Sequence, residues 1–103
     1  MKNFALAALF SLVSGVCMAE TYVIDVRTPE EFATGHVDGA LNIVHAMILK
    51  GVAENGIKPD DDIKLYCRSG KRASVALEML KSAGFSKVEN LGGYEQAKAA
   101  LGK

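Results

Sequence analysis

The chain has 103 residues, of which 12 are basic and 12 are acidic, so its formal net charge is zero. This balance gives no electrostatic reason to expect a nucleic acid or an anionic membrane as a partner. The length fits one small domain, which we expect to be a monomer.

The first nineteen residues are predicted to form a signal peptide. Lys2 supplies a positive charge, residues 4–16 are apolar or small, and Cys17 and Ala19 are small residues at the positions that a signal peptidase reads. The apolar run is shorter than the ~20 residues that a membrane span needs. We therefore expect cleavage after Ala19, a periplasmic location, and a mature domain of residues 20–103 without a membrane partner.

A strand and a short helix open this domain. Residues 22–26 are rich in β-branched side chains and predict a buried strand. Thr28 is a helix N-cap candidate, Pro29 fits the first helical position, and two acids follow in the first turn. Thr34 and Gly35 should end this helix.

The middle of the chain predicts a loop and a second helix. Residues 36–43 form a loop that leads into a short extended segment. Residues 45–53 then carry an apolar face at helical spacing, made of Ala46, Leu49, Val52 and Ala53. Asn55 and Gly56 should end this helix.

The second half repeats the alternation of strand and helix. Residues 63–66 predict a strand, residues 87–91 another, residues 92–93 a sharp Gly-Gly turn, and residues 94–101 a final helix. A three-turn helix between the strands has one apolar face, formed by Ala73, Ala76, Leu77, Leu80 and Gly84. Strands separated by helices imply a parallel sheet covered on both faces, so the predicted fold class is α/β.

Cys67 opens a loop between a predicted strand and the helix that follows it. Once Cys17 is removed, Cys67 is the only thiol, so it cannot form an internal disulfide. Backbone N–H groups and the positive end of a helix dipole converge on such a loop and favour a thiolate. Ligands also collect at the carboxyl ends of parallel strands. Cys67 is therefore a candidate nucleophile.

The arginines point to the same place. The chain has three, Arg27, Arg68 and Arg72, whereas its nine lysines are scattered. Arginine presents a planar fork that suits oxyanions and carboxylates. Its confinement to Arg27 and the Cys67 loop indicates an anion-binding site.

Four ordered segments now resemble a known family. Residues 25–32 (DVRTPEEF), 35–43 (GHVDGALNI), 66–73 (YCRSGKRA) and 91–93 (LGG) are similar to the signatures of rhodanese-like sulfurtransferases. Each is weak alone, but together they span about Tyr22 to Tyr94. A signal peptide before a single domain is most similar to the exported thiosulfate sulfurtransferases of the phage shock protein E type.

The resemblance implies a small rhodanese-like domain with a particular chemistry. The Cys67 thiolate attacks the outer sulfur of thiosulfate, sulfite leaves, and the sulfur on Cys67 passes to cyanide or a thiol acceptor. No metal or organic cofactor is implied. The substrate-binding residues are expected to be Arg68, Ser69, Gly70, Lys71 and Arg72.

Supporting residues follow from the same resemblance and from the chemistry of the side chains. Arg72 is expected to pair with Asp25 and hold the loop in shape, and Arg27 supports it. Gly70 is suited to a positive φ. His36 is a possible general base, although a structural hydrogen bond fits it better, and His45 has no motif support.

Three alternatives to this function stay open. Cysteine phosphatases resemble the pattern but place five residues between nucleophile and arginine, whereas four separate Cys67 from Arg72. Arsenate reduction is another activity of rhodanese-like domains. A persulfide carrier or sulfur-responsive module would instead pass sulfur to a protein partner and turn over thiosulfate and cyanide negligibly.

Overall fold

A computed structural model describes residues 20–103, so the predicted signal peptide and its cleavage site lie outside the described residues. The strands are β1 (Thr21–Asp25), β2 (Leu41–Asn42), β3 (Asp62–Cys67) and β4 (Lys87–Gly93). The α-helices are α1 (Pro29–Ala33), α2 (Ile48–Glu54), α3 (Lys71–Ser82) and α4 (Tyr94–Leu101), and a 3-10 turn, His45–Met47, precedes α2. Within these residues no helix is both long enough and apolar enough to cross a membrane.

The four strands form one sheet in the order β2-β1-β3-β4, and each neighbouring pair is parallel. This confirms the predicted α/β class. The two central strands carry the most deeply buried side chains, including Ile24, Ile63 and Leu65. The carboxyl ends of β1, β3 and β4 therefore meet at one edge of the sheet, where Asp25, Cys67 and Gly93 lie.

Helices cover both faces of the sheet, as predicted, and each face has its own apolar core. The larger core packs α2 and α3 against the sheet through Ile48, Val52, Ala76 and Leu80. The smaller core contains Val37, Tyr66 and Ala97 and lies under α4. Because a parallel sheet buries both faces, its edge at the carboxyl ends is the part left open to a ligand.

Helix α1 begins as its sequence predicts. The Thr28 hydroxyl accepts a hydrogen bond from the N–H of Glu31, and the Glu31 carboxylate accepts one from the N–H of Thr28. Pro29 occupies the first helical turn, and the helix ends at Ala33 with Thr34 as its cap. This reciprocal capping fixes the Glu31 side chain at the start of the helix.

The predicted apolar face of the second helix is wrong in phase. Ala46, Leu49 and Ala53 are exposed, and the residues that α2 buries are Ile48, Gly51 and Val52. The cause is the 3-10 turn before α2, which has fewer residues per turn than an α-helix. The sequence prediction assumed 3.6 residues per turn from His45 onward. The tighter 3-10 turn rotates the following helix, so different residues face the core.

The predicted Gly-Gly turn is also corrected. Gly92 and Gly93 belong to β4, where the pair Leu65–Asn90 is followed by the pair Cys67–Gly93. One extra residue on β4 makes a bulge, and Gly92 has a φ of 94°. Because of the bulge, β4 continues beside the Cys67 loop as far as Gly93. A turn at these glycines would have directed the chain away from that loop.

Candidate active site

Cys67 is the last residue of β3, and the cysteine loop, residues 67–72, runs from it into α3. Helix α3 starts at Lys71, two residues earlier than the apolar pattern predicts. Cys67 lies beside Gly93 in the neighbouring strand. The loop therefore lies at the carboxyl edge of the sheet, with a helix N-terminus directed at the sulfur.

The Cys67 sulfur is buried and surrounded by backbone donors. Only 1% of the residue is exposed, and its Sγ accepts a hydrogen bond from the N–H of Gly70 at 2.9 Å. Burial raises the pKa of the thiol, but hydrogen bonds from backbone N–H groups lower it more, so the pKa lies below its ordinary value. These N–H groups belong to Ala73, Ser69, Gly70 and Arg72. This environment favours the thiolate, as a nucleophile requires.

Gly70 gives the loop its shape. Its φ of 99° lies in the left-handed region, as expected, and a Cβ there would approach the Gly92 Cα at 3.2 Å. The Gly70 carbonyl accepts a hydrogen bond from Asn90 Nδ2 at 2.9 Å, and Asn90 Oδ1 accepts one from the N–H of Gly92 at 2.8 Å. Strand β4 thus holds the loop in the conformation that aims its N–H at Cys67.

Glu31, rather than Asp25, is the partner of Arg72. The Arg72 Nη1 and Nη2 atoms donate to Glu31 Oε1 and Oε2 at 2.8 and 3.1 Å, and Arg68 Nε donates to Oε2 at 3.2 Å. The predicted pair of Arg72 with Asp25 is therefore wrong. Arg72 first, and then the N–H of Thr28, hold the pKa of Glu31 far below its ordinary value.

Asp25 has a different partner, which is its near neighbour Arg27. The Arg27 Nε donates to Asp25 Oδ1 and Oδ2 at 2.9 and 3.0 Å, and Nη2 donates to Oδ2 at 2.6 Å. Arg27 Nη2 also donates to the Gly35 carbonyl at 2.6 Å. The Asp25 side chain is fully buried, and that of Arg27 is 6% exposed. This pair satisfies the Asp25 carboxylate, so Arg72 remains at the surface with Glu31.

Two tyrosine rings surround Arg27. Its guanidinium carbon lies 5.6 Å from the centre of the Tyr66 ring and 4.9 Å from that of Tyr94. Tyr66 is fully buried and its hydroxyl accepts a hydrogen bond from the N–H of Val37 at 3.0 Å. Burial raises the pKa of Tyr66 to about 12. The phenol stays neutral, and Arg27 keeps one anionic partner within residues 20–103, which is Asp25.

The predicted substrate-binding side chains lie together around the loop. Ser69 and Lys71 are exposed, and 75% of the Arg68 side chain is exposed despite its contact with Glu31. Only 29% of the Arg72 side chain is exposed, and its Nη1 and Nη2 atoms both donate hydrogen bonds to Glu31. Their roles toward a substrate stay predictions, but Arg68 and Lys71 are the cations open to solvent beside Cys67.

The two histidines lie apart from this chemistry. His36 stacks on Phe32 with ring centres 3.6 Å apart, and its Nδ1 is 2.9 Å from the Phe32 carbonyl oxygen. The structural hydrogen bond predicted for His36 is thus confirmed. His45 Nδ1 is buried and has no hydrogen-bond partner within residues 20–103.

Sequence reasoning missed Glu31 and Asn90. Glu31 was identified only as an acid in the first helical turn, although its spacing from Thr28 is that of a capping box. That spacing fixes the carboxylate but does not show that the loop arginines reach it. Asn90 precedes the glycines of β4 and carries no signal at the level of sequence.

A groove of about 440 Å³ opens beside the cysteine loop. It is lined by Arg27, Arg68, Gly93, Tyr94, Glu95 and Gln96. Arg68 follows Cys67 in the chain, and Gly93 is the neighbour of Cys67 in the adjacent strand. This Arg27 groove therefore adjoins the thiol without including it among its walls.

Comparisons with known proteins identify relatives of this chain. The family model described as the Rhodanese-like domain matches residues 12–100. The chain is 38% identical over 91 residues to thiosulfate sulfurtransferase PspE of Escherichia coli, covering 88% of this chain and 85% of that protein. It is 36% identical over 74 residues to a sulfurtransferase of Allochromatium vinosum, covering 72% of this chain and 67% of that protein.

A solved structure gives the same result for the fold. The structure of a rhodanese with anions from E. coli superposes with a TM-score of 0.70 and 36% identity. The superposition covers 74% of this chain and 89% of that one. This chain thus shares its fold with that rhodanese.

Proposed function

The chain belongs to the rhodanese-like family of sulfurtransferases, and on that premise we propose that it is a thiosulfate sulfurtransferase acting through a persulfide on Cys67. The observation that carries this proposal is the buried Sγ held by the N–H of Gly70 in a loop that lowers the thiol pKa. A thiolate prepared in this way attacks sulfane sulfur without a base beside it.

The first half-reaction loads the enzyme. The Cys67 thiolate attacks the outer sulfur of thiosulfate, a bond forms between the two sulfurs, and the sulfur–sulfur bond of thiosulfate breaks. Its electron pair leaves with sulfite. Negative charge develops on the departing sulfite, and the N–H groups of the loop with Arg68 and Lys71 are the donors available to stabilise it.

The second half-reaction unloads the enzyme. Cyanide or a thiolate attacks the outer sulfur of the persulfide, and the Cys67 thiolate departs. Arg72 serves this cycle indirectly, because its fork on Glu31 holds the loop between β3 and α3. It is a positioning residue in this scheme, whereas Arg68 and Lys71 bind the anion.

The proposal is tested by sulfite release. Residues 20–103 should release sulfite from thiosulfate when cyanide is present, and mass spectrometry after thiosulfate alone should show one added sulfur on Cys67. Cys67→Ser should lose both. Loading without turnover on cyanide would favour a carrier that delivers sulfur to a protein partner, and sulfite release by Cys67→Ser would refute the assignment.

Export is part of the proposal and rests on the sequence pattern of residues 1–19. The full chain expressed in a Gram-negative host should reach the periplasm and begin at Glu20. Cell fractionation with N-terminal sequencing measures both. Full-length chain retained in the cytosol would contradict this part alone and leave the chemistry untouched.

A further inference from the structure

The Arg27 groove contains a buried cation with one end uncommitted. Within residues 20–103, the hydrogen bonds of Arg27 run from its backbone N–H, Nε and Nη2. Its Nη1 makes none there. In the same part of the chain the one sealed and unpartnered side-chain atom is His45 Nδ1, so Arg27 Nη1 retains some exposure, and Arg27 lines the groove. A fixed and uncommitted donor thus belongs to a residue that lines the groove.

The surroundings of Arg27 make it a rigid donor. Asp25 accepts hydrogen bonds from Nε and Nη2 of the guanidinium. The centre of the Tyr94 ring, which lines the groove, lies 4.9 Å from the guanidinium carbon. Arg68 adds a second positive charge where the groove meets the cysteine loop. A planar fork held in this way suits a carboxylate, because little freedom is lost when the hydrogen bonds form.

The remaining polar groups of the groove do not oppose an anion. Glu95 is a rim residue with 83% of its side chain exposed, and its carboxylate lies 3.9 Å from Lys98 Nζ. Gln96 Oε1 already accepts the N–H of Gly93 at 2.7 Å. Solvent and Lys98 weaken the field of Glu95, whereas Arg27 is only 5% exposed and its field is screened less.

We propose that the Arg27 groove is the acceptor subsite and that it selects small thiols that carry a carboxylate. The inference rests on the proposed sulfur transfer and names its acceptor class. The groove is larger than an anion of two sulfur and three oxygen atoms requires, and the donors for such an anion surround Cys67 itself. A thiol with its carboxylate on Arg27 places its sulfur toward the neighbouring loop.

The transfer step balances without a further reactant. The acceptor thiolate attacks the outer sulfur of the Cys67 persulfide, a new sulfur–sulfur bond forms on the acceptor, and the bond to Cys67 Sγ breaks. The electron pair returns to the Cys67 thiolate. The acceptor leaves as a persulfide, and the groove contributes binding and orientation.

The first test compares acceptors on the preformed Cys67 persulfide. At equal thiolate concentration, 3-mercaptopropionate should unload the protein about tenfold faster than 2-mercaptoethanol at low acceptor concentration, with cysteamine slower than both. Equal rates for 3-mercaptopropionate and 2-mercaptoethanol would overturn the inference. Loading by thiosulfate is measured first, so absence of a persulfide would instead refute the proposed function.

The second test uses variants. Arg27→Lys keeps the charge near Asp25 but removes the free Nη1, so the preference for 3-mercaptopropionate should fall close to one. Lys87→Gln is the matched control, since it removes a charge at the amino end of β4, and it should retain the preference. An unchanged preference in Arg27→Lys, or an equal loss in Lys87→Gln, would show that general electrostatics select the acceptor.

A competition experiment needs no variant and covers the case in which Arg27→Lys does not fold. Propionate carries the carboxylate without the thiol, so it should inhibit unloading by 3-mercaptopropionate and leave loading by thiosulfate unaffected. Inhibition of loading to the same degree would assign the groove to the donor anion. If propionate inhibited neither half-reaction, the proposal that the groove binds a carboxylate would be refuted.

Discussion

The domain contains two arginine–carboxylate clusters of opposite character. Asp25 is fully buried and Arg27 nearly so at the carboxyl end of β1, whereas Glu31, Arg68 and Arg72 are more exposed, between α1 and the cysteine loop. A buried pair matters mainly through the cost of leaving one charge unpaired. A partly exposed cluster contributes little to stability but sets the position of its members. Loss of the buried carboxylate should therefore mainly lower stability, and loss of the surface carboxylate should mainly lower turnover.

The largest expected effect comes from removing half of the buried pair. Asp25→Ala leaves Arg27 buried without its carboxylate and should lower the free energy of unfolding by about 3–5 kcal/mol. Urea unfolding at neutral pH measures this. Asp38→Ala, which removes an exposed carboxylate, is the matched control and should change it by less than about 0.5 kcal/mol. Equal losses in the two variants would contradict the contrast between clusters.

The surface cluster should show the reverse pattern. Glu31→Gln weakens the fork to Arg72 and the contact with Arg68, so unfolding should become easier by only about 1 kcal/mol. Thiosulfate turnover should fall more, by about tenfold, because the loop loses its anchor on α1. Glu30→Gln removes an adjacent exposed acid of the same turn as a control. Turnover that survives in Glu31→Gln would deny the cluster a positioning role.

Acid should separate the wild type from Glu31→Gln in a defined direction. The pKa of Glu31 is far below its ordinary value of 4.5, so its stabilising contribution is complete above about pH 4.5 and is lost as the pH falls toward the folded-state pKa. The difference in unfolding free energy between the two proteins should thus be constant from about pH 7 to about pH 5 and should narrow as the pH falls to about 3. A difference that widens on acidification would reverse the assigned sign.

The smallest effect is a shift in the ionisation of the thiol. Ultraviolet titration of the Cys67 thiolate should give a midpoint below the ~8.5 of a free cysteine. Gly70→Ala strains a φ of 99° and displaces the N–H donor, so its midpoint should rise. Gly56→Ala also strains a positive φ but has open space around it, and its midpoint should match the wild type. Identical midpoints in all three would remove the role of Gly70.

Much of the fold could be predicted from local patterns. The signals of Thr28 and Pro29 fixed the start of α1, and a three-turn apolar stripe located α3. The phase of α2 could not be predicted, because no residue marks the 3-10 turn that precedes it. The bulge in β4 was hidden for a related reason, since Gly92 and Gly93 fit a turn as well as a strand.

The partners in the site were harder to predict than its location. Cys67 and its loop were identified from sequence, as was the positive φ of Gly70. The predicted pairing of Arg72 with Asp25 follows from the resemblance, in which Arg72 matches the loop-closing arginine of the family and its fork needs a carboxylate. Which carboxylate Arg72 binds depends on how deeply each one is buried. Arg27 already pairs with the more buried carboxylate of Asp25, so Arg72 pairs with Glu31.

The near-complete burial of the Cys67 sulfur makes chemical labelling a measure of loop opening. Because 1% of the residue is exposed, a bulky reagent can reach Sγ only when residues 67–72 move away, whereas a small one needs less displacement. The ratio of labelling rates for a large and a small thiol reagent therefore reports how often the loop opens. The same burial shields the thiol from oxidants in the interval between sulfur donors.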